Sequence, residues 1–284
     1  MWDFKRHVDE DLIKKLIDQP LWKDKLKNDC NKGEIFLAIR DGSIGFYYKG
    51  GRLFEFKGNS LKTHIKYASV IETTDENNYV SQEKLKDKKL ICDFIKGYNG
   101  IKRNCELYSG EEAKGVSYLY QNSSYLLSDN YIVLDIEVAF KKEKKEQDRI
   151  DILLYDNKNK NLRFVEAKHF SNKDLWSNKK PRVIEQIERY EDQIKQNEDS
   201  LIKEYGHYIK QINKIFNKKL NIPESMTPEV SLLIFGFDEE QMRGKRFKEL
   251  IYTKPAYKNI TLYCKGDPSS DLMAETIWKK AKKP

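Results

Sequence analysis

Residues 149–170 read RIDILLYDNKNKNLRFVEAKHF, and this stretch decides the fold of the second half of the chain. Apolar runs flank Asp156-Asn157-Lys158-Asn159-Lys160-Asn161, a cluster of turn-forming residues, so the pattern predicts a β-hairpin with strands over Arg149–Tyr155 and Leu162–Phe170. The midpoint between Asp151 and Glu166 falls between Lys158 and Asn159, inside that turn. A tight hairpin therefore sets the two carboxylates opposite each other, on one face, with Cβ atoms about 4.5–5.5 Å apart. Lys168, two residues beyond Glu166, points to the same side. The preceding hairpin repeats the arithmetic. Tyr131–Phe140 reads as a third strand, and the midpoint of Glu137 and Asp151 is Lys144, in the charged loop Lys141–Asp148. Glu137, Asp151 and Glu166 can then face one spot.

Carboxylates at that distance repel, and a hard divalent cation with oxygen ligands relieves the repulsion. Magnesium or manganese is the natural candidate. An ammonium beside such an ion, here Lys168, can orient or help deprotonate a water, or balance charge on a phosphorane-like transition state while the metal polarises the phosphate. The chemistry expected of this arrangement is phosphodiester hydrolysis.

Arg149-Ile150-Asp151 followed by Phe164-Val165-Glu166-Ala167-Lys168 resembles the D…ExK core of the PD-(D/E)xK nuclease superfamily. Gln186-Ile187-Glu188-Arg189-Tyr190 is similar to the QxxxY motif of its RecB-like branch. The resemblance spans roughly residues 105–265 and implies a restriction-endonuclease-like fold. It also implies that Asp151 and Glu166, with Glu137 and the Ala167 backbone carbonyl, bind the metal, that Lys168 acts at the nucleophilic water, and that Gln186 and Tyr190 support the site or contact substrate. Ile150 stands where the family name has Pro, a position that varies widely in the superfamily. Members often place the upstream acid on the first helix, so Glu111 or Glu112 could serve instead of Glu137. Iron–sulfur relatives cluster cysteines near the C-terminus, whereas this chain has only Cys264 there, so no iron–sulfur cluster is expected. The substrate implied is nucleic acid, DNA ahead of RNA, in prokaryotic defence or DNA repair, with endonuclease action favoured. The alternatives left open are RNA cleavage, and a nuclease-derived module that binds nucleic acid or a partner protein without turnover.

Outward from this core the chain reads as two regions. Residues 1–78 form an N-terminal accessory region. Leu12, Ile13, Leu16 and Ile17 mark a first helix and Leu21–Leu26 a second, before strands Glu34–Arg40, Ser43–Tyr48 and Arg52–Lys57. These are separated by Asp41-Gly42 and Lys49-Gly50-Gly51, both hairpin signals. His64–Ile71 is a candidate fourth strand. Residues 79–284 form the nuclease domain: helical pattern over 81–127 broken at Gly97–Gly100, and the three-strand meander. Then come a helix with Pro181 in its first turn capped by Ser177 or Asn178, a helix over 198–216, strand Val230–Phe237, helix Glu239–Leu250, strand Ile260–Cys264 and a last helix. The fold class is thus α/β (α+β), a mixed sheet flanked by helices, with an antiparallel β-meander in front.

Composition narrows the partners. Against 53 Lys plus Arg stand 45 Asp plus Glu, a net charge of +8, which suits a polyanion without demanding one. Lys141, Lys142, Lys144 and Lys145 read either as a solvated loop or as a phosphate grip beside the centre. No apolar run approaches the roughly 20 residues of a membrane span. The start lacks the pattern of a secretory signal, so a cytoplasmic location is expected. Cys30, Cys92, Cys105 and Cys264 are too scattered for a zinc ribbon and read as buried thiols. Phe46, Tyr47, Tyr48, Phe54 and Phe56 read as the meander's own core, or as a face that stacks bases or meets a partner protein; a homodimer is also open. Tyr190 lies on the apolar stripe of Val183, Ile187 and Ile194, whose plain reading is core packing. His169 points away from Lys168 and reads as structural.

Overall fold

The computed structural model describes residues 4–70, 89–140, 149–176, 180–253 and 255–269. Two sheets and a set of helices make up a mixed α+β molecule. The five-stranded sheet runs β5 (Tyr131–Ala139), β6 (Arg149–Asp156), β7 (Asn161–His169), β8 (Ser225–Phe235), β9 (Leu262–Lys265) in spatial as well as chain order. The first three strands are antiparallel, and β8 and β9 join β7 in parallel. Ile152 pairs with Val165 and Leu153 with Phe164, and one step further along this register Asp151 stands against Glu166. Ile136↔Ile152 and Val138↔Ile150 likewise bracket Glu137 and Asp151. The turn-midpoint arithmetic therefore gives the right register for both hairpins, because a one-residue slip would turn every apolar side chain of β6 to the wrong face.

β8 starts five residues before the expected Val230. Its first residues, Ser225–Thr227, pair with Asn161–Arg163. The register then shifts, and pairing resumes at Val165↔Ser231. Pro228 lies in that interval and has no N–H to give to a ladder, so the apolar run alone marks only the second half of the strand.

A single helix, α6 (Arg182–Phe216), takes the place of the two expected helices, with a kink at Asn197 (φ −132°, ψ 20°) where they were expected to part. The Asn197 side chain donates back to the Gln193 carbonyl at 2.8 Å, the local competition that bends helices at such residues. Pro181 sits just outside the first turn with extended backbone, and the expected caps Ser177 and Asn178 lie outside the described residues. α4 (Tyr98–Leu107) packs on the strands Ser43–Tyr48 and Gly51–Lys57 of the N-terminal part, and α5 (Glu111–Ser123) reaches β5 and β7. Gly97 starts α4 rather than interrupting a longer helix, and Gly100 lies within it. Beyond β8, Asp238 caps α7 (Glu239–Arg243) with a capping box. Gly244 then ends the expected Glu239–Leu250 helix early, and the chain resumes as a π-type turn over Phe247–Tyr252. The last expected helix and the boundary at residue 78 fall outside the described residues.

The N-terminal part comprises α1 (Glu10–Asp18), helical turns ending in α2 (Lys27–Asn31), and an antiparallel sheet ordered β1 (Ile35–Arg40), β2 (Ser43–Tyr48), β3 (Gly51–Lys57), β4 (Ser60–Lys62). Leu12, Ile13 and Leu16 are buried, but Ile17 is exposed. His64–Ile71 does not form the fourth strand. β4 precedes it, and the His64 ring accepts the Lys66 N–H at 3.2 Å to start the one-turn helix α3 (Ile65–Ala68). Phe46, Tyr47, Phe54 and Phe56 are buried and form the meander's core, while Tyr48 is half-buried against it. Cys30 and Cys105 are buried as expected, whereas Cys92 is exposed.

Both sheets contribute to one hydrophobic core. Tyr125 donates its hydroxyl to the Leu37 carbonyl at 2.6 Å, and Arg40 reaches the Ile136 carbonyl at 2.6 Å. At the β2–β3 turn, Gly50 (φ +86°) rides so close to α5 that a Cβ would lie 2.4 Å from the Ala113 carbonyl carbon. On β5 the acid that is buried is Asp135. It is fully buried, bonded by Arg6 (3.0 Å), Arg40 (2.6 Å) and Tyr205 (3.1 Å), because the N-terminal elements cover that end of the strand. Among the described residues no helix is long and apolar enough to cross a membrane.

Candidate active site

β6 and β7 are largely apolar strands, and three of their charged residues gather at one place. Asp151, Glu166 and Lys168 come together because they share a face at matched register. Asp151 Oδ2 accepts the Ala167 N–H at 2.8 Å, and Lys168 Nζ donates to Glu166 Oε1 at 2.6 Å. Glu166 is fully buried and Lys168 nearly so, at 0% and 7% exposure. The second carboxylate oxygen of Glu166, Oε2, is buried without a hydrogen-bond partner among the described residues. Leaving a buried charged oxygen unpaired costs several kcal/mol in such surroundings. That makes it a vacancy in the hydrogen-bond account which an additional cation would fill. Ala167 itself is buried in β7, paired with Leu233 of β8.

Burial pushes the Asp151 carboxyl up to about 6. The Lys168 ammonium and the Ala167 N–H oppose that rise, and the charges of Glu112 and Glu137 add to it. Glu166 is pushed well above the ordinary carboxylate range by burial and by Asp151, against the pull of Lys168. Burial alone would lower the Lys168 ammonium, but Glu166, Asp151 and Glu112 outweigh it and its pKa lies above the usual lysine value. The centre is therefore over-supplied with negative charge that a single ammonium does not balance.

The upstream acid that the geometry favours is Glu112. Its Oε1 accepts the His169 N–H at 3.3 Å and the Asn172 side-chain amide at 2.7 Å, and its charge acts on Asp151, Glu166 and Lys168 alike. The close seat of α5 makes this possible. A Cβ at Gly115, one turn after Glu112, would stand 2.0 Å from the Phe235 ring. Glu111, by contrast, is exposed and pairs with Lys114 at 3.4 Å. Glu137 stands opposite Asp151 as expected, but its backbone is left-handed (φ +48°) and its carboxylate meets Arg149 at 3.2 Å. It thus sits at the rim of the centre, facing a cation.

Tyr190 is fully buried, as its place on the apolar stripe requires, and it also carries a polar link. Its hydroxyl donates to the Arg149 carbonyl at 2.8 Å and accepts from Gln186 Nε2 at 2.7 Å. The pair therefore fixes β6 two residues before Asp151. His169 packs edge-on against Phe235. The basic run Lys141, Lys142, Lys144 and Lys145 lies outside the described residues.

Sequence reasoning missed two features. Asn172 holds Glu112 from the loop after β7; its only signal is the turn-like Ser171-Asn172. A cleft of about 390 Å³ opens beside the centre, lined by Lys5, Arg6, Arg40, Arg52, Glu137 and Arg149, among others. Its walls come from three distant stretches of chain, and no local pattern announces it. No protein-family model, curated protein or solved structure matches the chain.

Proposed function

We propose that the chain is a divalent-metal-dependent nuclease with a restriction-endonuclease-like core, acting on DNA. The observation that carries this reading is the buried Oε2 of Glu166, unpartnered among the described residues, within a centre where those residues set one cation, Lys168, against Asp151 and Glu166. That donor set fits Mg²⁺ or Mn²⁺, which take carboxylate and carbonyl oxygens. Asp151 and Glu166 would hold the ion, with Glu112 as the upstream acid and the Ala167 carbonyl completing the set. When bound, the ion supplies Lewis-acid polarisation of a phosphate and lowers the pKa of a bound water.

The chain's own residues supply the rest. Lys168, held protonated by its neighbours, places a hydrogen-bond donor and positive charge where an attacking water and the developing phosphorane charge would lie. Tyr190 and Gln186 keep β6 in place, so that Asp151 holds its register. Arg149, Arg52 and Lys5 give the adjoining cleft a positive wall suited to backbone phosphates. DNA ahead of RNA, and the setting in defence or repair, follow from the resemblance of the D…ExK and QxxxY residues.

The test is cleavage of labelled DNA and RNA with Mg²⁺, Mn²⁺ or EDTA, by wild type and Glu166→Gln. Metal-dependent DNA cutting that the variant loses supports the reading. Cutting of RNA alone reassigns the substrate, and binding of nucleic acid without any turnover replaces the enzyme with a binding module.

A further inference from the structure

We propose that His7, Glu204 and His207 form a second metal site, for a borderline divalent transition metal of the Zn²⁺ class, which staples the N-terminal strap, residues 4–10, to α6. Glu204 and His207 are three residues apart on α6 and so share one face. His7 arrives from the opposite end of the chain. His7 Nδ1 lies 2.8 Å from Glu204 Oε2, and His207 Nδ1 lies 3.7 Å from Glu204 Oε1. The two imidazole rings stand edge-to-face with centroids 5.3 Å apart. One ligand atom from each of the three residues lies within 4.8 Å of the others.

Metal–ligand bonds of about 2.0–2.2 Å in a tetrahedral site set neighbouring ligand atoms roughly 3.3–3.6 Å apart. The cluster therefore needs a contraction of about 1 Å. The two imidazoles can supply it by side-chain rotation, because they are 38% and 39% exposed. Glu204 is the fixed point. Its side chain is 12% exposed, and its Oε2 already accepts the Arg6 N–H at 3.0 Å, the kind of outer hydrogen bond that orients a ligating carboxylate. A hydrogen bond between His7 and Glu204 explains those two residues but not the third imidazole turned onto the same carboxylate. Two imidazoles and one carboxylate suit zinc, nickel or copper, not magnesium, with a fourth position open to water. The site is thus chemically distinct from the acid centre on β6 and β7.

Its consequence is mechanical. Past His7 the strap is bound to the same helix by Gln211, which bonds both the N–H (3.0 Å) and the carbonyl (2.5 Å) of Val8, and by the Lys214–Glu10 pair at 2.8 Å. Immediately before His7, Arg6 reaches Asp135 and lines the basic cleft. A metal at His7 would tie both runs to α6 at the strap's midpoint and hold one wall of the cleft.

The measurement is Zn²⁺ binding by calorimetry in excess Mg²⁺, on Asp151→Asn and Asp151→Asn/His207→Ala, where the acid centre is disabled. Wild type against His207→Ala is measured in parallel, in case Asp151→Asn does not fold. The expected result is one Zn²⁺ per chain that weakens on the order of tenfold or more when His207 is lost. With it should come a visible Co²⁺ ligand-field spectrum that disappears in the same variant. Equal Zn²⁺ binding with and without His207, or no Zn²⁺ bound by folded protein, overturns the site.

Discussion

Lys168 Nζ lies 2.6 Å from Glu166 Oε1 with both side chains buried, so each is the other's counter-ion in a place screened from solvent. Replacing Lys168 with Met strands a buried carboxylate, a change that costs roughly 3–5 kcal/mol when no proton or cation compensates. Glu166 is already pushed well above the ordinary range, so at low pH the variant relieves itself by protonation. Stability is retained below the unfolded carboxylate's pKa and lost as pH rises through the higher folded value. Urea melts of Lys168→Met should therefore show a deficit that grows from pH 5 to pH 8 and shrinks on adding Mn²⁺. A pH-independent deficit would count against the pairing.

Asp151 makes a prediction about metal affinity. With its carboxyl raised to about 6, the metal-free protein holds a proton there that a cation must displace. Mg²⁺ or Mn²⁺ affinity should climb by at least about tenfold per pH unit below 6 and more slowly above it, where the Asp151 proton is gone and the raised Glu166 carboxyl is what the cation must still deprotonate. The same shift makes the Asp151 contribution to metal-free stability fully present below the ordinary carboxyl value and lost as pH rises through 6. Calorimetric titrations from pH 5 to 7.5 read the first effect. Thermal melts of wild type against Asp151→Asn read the second, with the variant losing that component of the slope.

Tyr190→Phe keeps the ring in the core and removes one hydroxyl. The Arg149 carbonyl loses its donor and Gln186 its acceptor, so a loss of about 1–3 kcal/mol is expected. Cleavage should slow with little change in substrate affinity, because the hydroxyl positions β6 and does not face the cleft. Gln186→Ala should cost less, since it leaves the Tyr190–Arg149 bond intact. A variant pair with unchanged melting and unchanged rate would remove both residues from the site's support.

Asp135→Asn tests the join between the two sheets. Arg6 and Arg40 share that one carboxylate, with Tyr205 bonded to it as well. Removing its charge leaves two buried or nearly buried guanidiniums under-compensated, at roughly 3–5 kcal/mol. Denaturant unfolding should show that loss as a shifted midpoint.

Local pattern carried the two hairpins of β5, β6 and β7 well. The turn of 156–161 and the apolar parity of β6 and β7 placed Asp151 against Glu166, because register in a sheet with buried faces has little freedom. The placement of Glu112, Asp135 and His7 was not legible in the same way. Each depends on contacts between elements far apart in the chain: α5 pressed on Phe235 through Gly115, Arg6 and Arg40 folded over β5, and the strap laid on α6. Periodicity shows which face of an element is apolar, not which neighbour will cover it. Pro228 hid the first half of β8 for a different reason, since a strand with an irregular register loses its alternating pattern.

The central claim is tested most directly by incubating wild type and Lys168→Ala with circular single-stranded DNA and supercoiled plasmid, with Mn²⁺, Mg²⁺ or EDTA. The account predicts cation-dependent linearisation or nicking by wild type, abolished by EDTA. It predicts a fall of on the order of a hundredfold or more in Lys168→Ala, the scale of losing one preorganised charge-stabilising donor. Cutting that survives in Lys168→Ala, or no cutting by wild type under conditions where it binds the cation, would contradict it.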